Sequence, residues 1–144
     1  MSARVFIYQT LCSTPSIADE VGGLENPRVF AKKSMTSSVE DHPFIVYKLG
    51  NATSLNITGE DEDLSEVENQ FIQVWVHDYE DKDTADYMRI DRVLLAIKKR
   101  FKNAASPADG VYGFQYLETS QDLNDETLNT VFKYARYQLK KNGE

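Results

Sequence analysis

One cysteine, two histidines and seven glycines in 144 residues leave little material for chemistry that depends on those side chains. With Cys12 the only thiol, an intramolecular disulfide is impossible and a cysteine-rich zinc site is excluded. Stability must come from packing, and a chain of this length, read as a single domain over 1–144, buries roughly two-thirds of its unfolded surface. Long hydrophobic runs are also missing. The richest, "FIVY" at 44–47 and "VLLAI" at 93–97, fall far short of the ~20 residues that span a bilayer, and "MSARVFIYQTLCST" has no long apolar signal core. The expectation is an intracellular protein that does not enter membranes. Basic charge is in deficit too, with 16 lysines and arginines against 23 acids and a net charge of −7. A nucleic-acid surface needs a dominant positive field, so DNA binding is not the main role.

Enzyme readings fare no better, because they need a nucleophile beside a base, a carboxylate pair or metal ligands at a usable spacing. His42 precedes Pro43 in a polar connector, and His77 ends a strand pattern. His77, Asp78, Glu80 and Asp81 could hold a metal, but an acidic turn capping the following helix explains them better. "GEDEDLSEVE" (59–68) lacks the ligand spacing of an EF-hand loop. Cys12 reads as a small buried hydrophobe rather than half of a dyad. Gly110 and Gly113 sit among strand residues, away from any helix start that would cradle phosphate. The tripeptides at Asn51 and Asn56 fit the glycosylation pattern but lack a secretory context. No catalytic, cofactor or metal site is expected.

What is present is secondary-structure patterning. Residues 3–11 carry helix-spaced apolar positions, and "STPSIADEVGG" (13–23) reads as a short second helix with Ser13 or Thr14 as N-cap, Pro15 near its first position and Gly22-Gly23 as its stop. "PRVFAK" (27–32) is a short strand, "SMTSSVEDH" (34–42) a polar connector, and "PFIVYKLG" (43–50) a strand. Residues 51–68 form a polar segment with six acids in the nine positions 60–68, expected to be a mobile loop or hairpin arm.

In the next stretch Ile72, Val74 and Val76 alternate with Phe71, Gln73, Trp75 and His77, the period of two of a strand with one fully apolar face. Tyr87, Ile90, Leu94, Ile97 and Phe101 then fall on one helical stripe that can cover that face, with Asp83 or Thr84 as cap and Lys98, Lys99, Arg100 and Lys102 complementing the helix dipole at its end. "GVYGFQYLE" (110–118) and "ETLNTVFKYARYQLKK" (126–141) are two further strands around a turn "TSQDLND" (119–125). The expected fold is α+β: a mainly antiparallel sheet of four to five strands with helices on one face, a two-layer sandwich. Trp75 and Phe71 share the other face, where they form a second core layer, a patch shielded by the N-terminal helices, or a subunit interface.

Taken in order, Gly22-Gly23 with Arg28-Val29-Phe30, Pro43-Phe44-Ile45-Val46, Ile72-Gln73-Val74-Trp75, and Ala85 with Val93 and Ile97 resemble the tail terminator or tail-completion proteins of long-tailed bacteriophages. The resemblance covers most of residues 1–102; "LEN" (24–26) and the acidic arm depart from it, and the closing strands carry no shared motif. It implies a structural virion protein without enzymatic activity. Such a protein, made in the host cytoplasm, forms a ring, usually a hexamer, that caps the tail tube, stops its growth and meets the neck or head-completion protein while DNA passes its lumen unbound. The nearest alternative is a neck adaptor or head-completion protein; a small-ligand or metal-dependent enzyme domain is the other class. Residues 49–81 hold nine acids and no lysine or arginine, whereas 98–102 and 133–141 are basic, which suits head-to-tail contact between neighbours. The candidate interface residues are Glu60, Asp61, Glu62, Asp63, Glu66, Glu68, Phe71, Trp75, Lys98, Lys99, Arg100, Lys133 and Arg136.

Overall fold

The computed structural model describes residues 2–31, 43–54, 67–79, 87–126 and 130–142. Its elements in chain order are α1 (Ala3–Ser13), α2 (Pro15–Ala18), β1 (Val29–Ala31), β2 (Phe44–Ser54), β3 (Val67–Tyr79), α3 (Tyr87–Lys102), β4 (Val111–Thr119), β5 (Leu123–Asp125) and β6 (Thr130–Asn142). Short 3-10 turns occupy Asp19–Val21 and Pro107–Asp109.

α1 begins at Ser2, whose hydroxyl accepts the Val5 amide at 3.2 Å and so satisfies one of the helix's orphan donors. Thr14 stands at the N-cap of α2, as the sequence suggests, but its side chain serves other partners. Its hydroxyl donates to the Thr10 carbonyl at 2.7 Å and accepts from Arg100 Nε at 3.2 Å, tying both short helices to the end of α3. The chain leaves this helical corner through Gly22 at φ 115°, where a Cβ would come within 2.7 Å of the Arg28 guanidinium and 2.9 Å of the Asn26 carbonyl. Only glycine fits that backbone and that space.

The sheet runs β1-β2-β3-β6-β4, with β5 also paired to β6. β1 lies parallel to β2 and every other pairing is antiparallel. The sheet is therefore mixed and has six strands, one more than the upper expectation. The extra strand is β5, which lies inside the segment "TSQDLND" expected to be a turn. β4 and β5 occupy the same side of β6, one after the other, because β3 fills the opposite side along its whole length. Ser120 carries the ladder across the break: its amide donates to the Tyr134 carbonyl at 2.8 Å and its hydroxyl accepts the Tyr134 amide at 2.9 Å.

The strands at the 51–68 segment also extend further than expected. β2 continues through Asn51–Ser54 after a bulge between Leu49 and Ala52, and β3 starts at Val67. The remainder of the acidic arm, the connector with His42, the expected cap at Asp83 or Thr84 with Ala85, and Leu128 lie outside the described residues.

The expected core forms. Ile72, Val74, Val76, Ile90, Leu94 and Ile97 are buried together with Val93, Phe101, Ile45, Tyr47, Ala135, Tyr137 and Leu139. Each fully buried aliphatic side chain is worth about 1.5–3 kcal/mol. α1 packs on the same side through Ala3, Ile7 and Leu11, and an aromatic column runs from Phe6 through Phe114 and Phe101 to Tyr137, with successive centroids 6.2, 4.3 and 4.9 Å apart. Where β3 leaves this layer, Asp78 is buried at 2% exposure and takes a two-pronged hydrogen bond from Arg89 of α3, one arm being Nε to Oδ2 at 2.6 Å. Strand end and helix start are thus locked together.

Candidate interaction surface on the open sheet face

The described helices all pack on one face of the sheet. The opposite face carries the odd-numbered residues of β3, the partners opposite them on β2, and the even-numbered residues of β6. Register places them in rows: Phe30, Val46, Trp75 and Tyr134 across four strands; Phe44, His77 and Phe132 beside them; and Lys48, Gln73 and Arg136 next along, with Glu118 of β4 opposite Arg136.

The row at the β3 C-terminal end is closed. Phe44 is fully buried, and His77 is stacked between Phe44 at 4.8 Å and Phe132 at 4.9 Å, with Nδ1 2.8 Å from the Thr130 hydroxyl. Asp78, its chain neighbour, points to the opposite face toward Arg89. These two members of the weighed metal set therefore diverge rather than converge; Glu80 and Asp81 lie outside the described residues. Cys12 belongs to the helical layer, where burial raises its thiol pKa.

Toward the other end the face opens. Trp75 and Tyr134 are half-buried with centroids 6.5 Å apart. Arg136 donates to Glu118 at 3.1 Å and lies over the Phe71 ring at 5.8 Å. Between them is a groove of about 350 Å³ lined by Lys48, Gly50, Asn51, Phe71, Gln73, Trp75 and Arg136. Gly50 opens it at the bulge: a Cβ there would come 3.2 Å from the Phe71 Cβ.

Three of the sequence-derived candidates, Phe71, Trp75 and Arg136, therefore meet in one site. The others are dispersed. Lys133 lies on the helical side and bonds Asp91 of α3 at 2.7 Å, which raises its pKa, with Asp122 at 3.6 Å. Glu68 pairs with Lys141 of the same chain at 3.5 Å. Lys98 sits 3.9 Å from the Tyr116 ring centroid, Arg100 is bound to Thr14, and Lys99 lines a groove of about 780 Å³ between α2 and α3. Glu60, Asp61, Glu62, Asp63 and Glu66 are outside the described residues. Sequence reasoning missed Lys48, Phe132 and Tyr134 as members of the site. The signal was available for the last two, since Phe132, Tyr134 and Arg136 alternate with the same period of two as Phe71, Gln73 and Trp75.

These features define a two-layer α+β protein with a mixed six-stranded sheet, helices on one face and a partly open aromatic face opposite. The same fold occurs in a chain from the virion of a native gene transfer agent particle, with a TM-score of 0.68, 14% identity, and coverage of 99% of this chain and 96% of that one. No protein-family model and no curated protein sequence matches the chain.

Proposed function

We infer that the protein is a structural component of a phage-like virion, and within it the tail terminator that caps the tail tube and meets the neck. The observation that carries this reading is the end-to-end likeness of fold to a virion chain, which leaves neither chain with a large unmatched part. The ordered motifs from Gly22-Gly23 to Ile97 support it separately. The open face supports it as well, since half-buried aromatics with an arginine are the composition of a contact surface.

In this role the protein is not an enzyme and works as a ring, a hexamer in the family it resembles. Segregated charge would join acidic and basic surfaces of successive subunits, and the acidic balance would keep passing DNA from adhering. The test is co-sedimentation of the purified protein with tubes polymerised from the tail tube protein, in the presence and absence of neck rings. Binding at tube ends that blocks further growth is the expected result. Binding to neck rings alone would make it a neck adaptor or head-completion protein, and binding to neither would remove the virion-joint reading.

A further inference from the structure

We propose that the groove on the open sheet face, centred on Phe71, Trp75, Lys48 and Arg136, receives the acidic segment Glu60–Glu66 of a second copy of this chain. The inference rests on the ring reading and names the contact that builds the ring.

Two grooves compete for an acidic peptide. The larger, between α2 and α3, is lined by Asp19 and Glu20 as well as by cations, and Arg92 there already bonds Glu20 through both carboxylate oxygens at 3.2 and 3.3 Å. An acidic peptide entering it would meet two carboxylates. The groove on the sheet face has no carboxylate among the described residues that line it; Arg136 bonds Glu118 of β4 at its edge through a single contact at 3.1 Å, Lys48 is exposed, and the two cations stand on either side of Gln73 in one row. A second hollow of about 320 Å³ continues along the same pair of strands, lined by Asn69, Tyr112, Gly113, Gln115, Gln138 and Lys140, again without a carboxylate. From Asn69 to Trp75 this track is roughly 20 Å long at ~3.3 Å per residue, the length of about six extended residues. The segment Glu-Asp-Glu-Asp-Leu-Ser-Glu (60–66) supplies five acids for Lys48, Arg136 and Lys140, and places Leu64 where the rings of Phe71 and Trp75 offer apolar surface.

Chain length favours a second copy over the same chain. Twelve residues, 55–66, join Ser54 of β2 to Val67 of β3. Both ends are fixed side by side, so six residues out and six back reach at most roughly 20 Å. The tip of the segment could touch the near edge of its own groove, but Leu64, three residues before Val67, reaches at most roughly 11 Å, whereas the middle of the groove at Gln73, between Phe71 and Trp75, lies six residues along β3, roughly 20 Å away. The neighbouring subunit imposes no such limit. A donor segment and a receiving groove at different places on one chain make a head-to-tail contact, the kind that closes into rings.

Trp75 is the chain's only tryptophan, so its emission reports the groove directly. The probe is a synthetic peptide of residues 58–70, titrated into full-length protein whose own segment is neutralised by Asp61→Asn, Glu62→Gln, Asp63→Asn and Glu66→Gln. A saturable change in Trp75 emission is expected. It should weaken at least tenfold with Lys48→Gln and Arg136→Gln, and at least tenfold between 50 and 500 mM salt, where exposed charges are screened within a few ångströms. Lys48→Gln alone, at an exposed side chain, should give a smaller loss with the fold intact. No response at millimolar peptide, or an equal response to a peptide with its acids replaced by amides, would overturn the proposal. So would a wild-type protein that stays monomeric at all concentrations with Trp75 already at its peptide-bound emission, since that places the segment in its own groove. The titration contains no tail or neck component, so its failure and that of the terminator reading are separate results.

Discussion

On the even-numbered face of β3, Ile72, Val74 and Val76 are buried beneath α3; on the odd-numbered face, Phe71, Gln73 and Trp75 keep part of their surface in water. The same strand supplies both faces. The covered face is mainly aliphatic, carries the ion pair that fixes helix to sheet, and continues into the buried residues of α1 and α3. The open face is aromatic and cationic, and only its Phe44, Val46 and His77 end is sealed. The covered face should therefore govern folding, and the exposed part of the open face association. Substitutions can separate the two.

The largest effect is expected on the covered face. Phe101→Ala removes the ring that stacks on Phe114 at 4.3 Å and meets Tyr137 edge-on at 4.9 Å, and should cost about 3–5 kcal/mol in urea denaturation. Arg89→Ala leaves Asp78 buried without its guanidinium and should cost about 3 kcal/mol, with partial recovery when Asp78→Asn is added. A loss below about 0.5 kcal/mol for either would mean that α3 does not hold the sheet as described.

Trp75→Ala should lower stability by less than about 2 kcal/mol, because the ring is only half-buried. Its main effect should fall on self-association, read by sedimentation. An unfolded Trp75→Ala protein would make the open face a second core and dissolve the contrast.

The smallest effect is expected from Tyr137→Phe. The Tyr137 hydroxyl is buried without a hydrogen-bond partner among the described residues, so removing it should be neutral or stabilise by about 1 kcal/mol. Burial raises the Tyr137 pKa above the ordinary value of 10.0, and the Asp91 contact raises that of Lys133 above 10.5. In both cases the folded state keeps a proton that the unfolded chain releases. Their contribution is fully present below pH 10 and declines as pH rises beyond it. Tyr137→Phe should flatten that alkaline decline in urea midpoints; an unchanged slope would remove Tyr137 as one of its causes.

Much of the covered face was legible in sequence because two periods coincide there: two residues along β3, and three to four along α3 from Tyr87 to Phe101. The strand β6 could be read for the same reason. β5 could not, since three residues of "LND" carry no alternation and their pairing depends on Ser120 bridging a break in the ladder. The parallel pairing of β1 with β2 and the extension of β2 into "NATS" are likewise set by tertiary contact rather than local pattern. At the site, alternation put Phe71 and Trp75 on one face. Lys48 joined them only through the β2–β3 register, which sequence does not print. His77 read as a strand-end ligand candidate, whereas its surroundings of Phe44 and Phe132 come from two other strands.

The central proposal is that this chain ends tail growth. The most direct measurement is electron microscopy of particles assembled without it. The account expects heads and tails that fail to join, with tubes of uncontrolled length; joined particles with tails of normal, uniform length would contradict it.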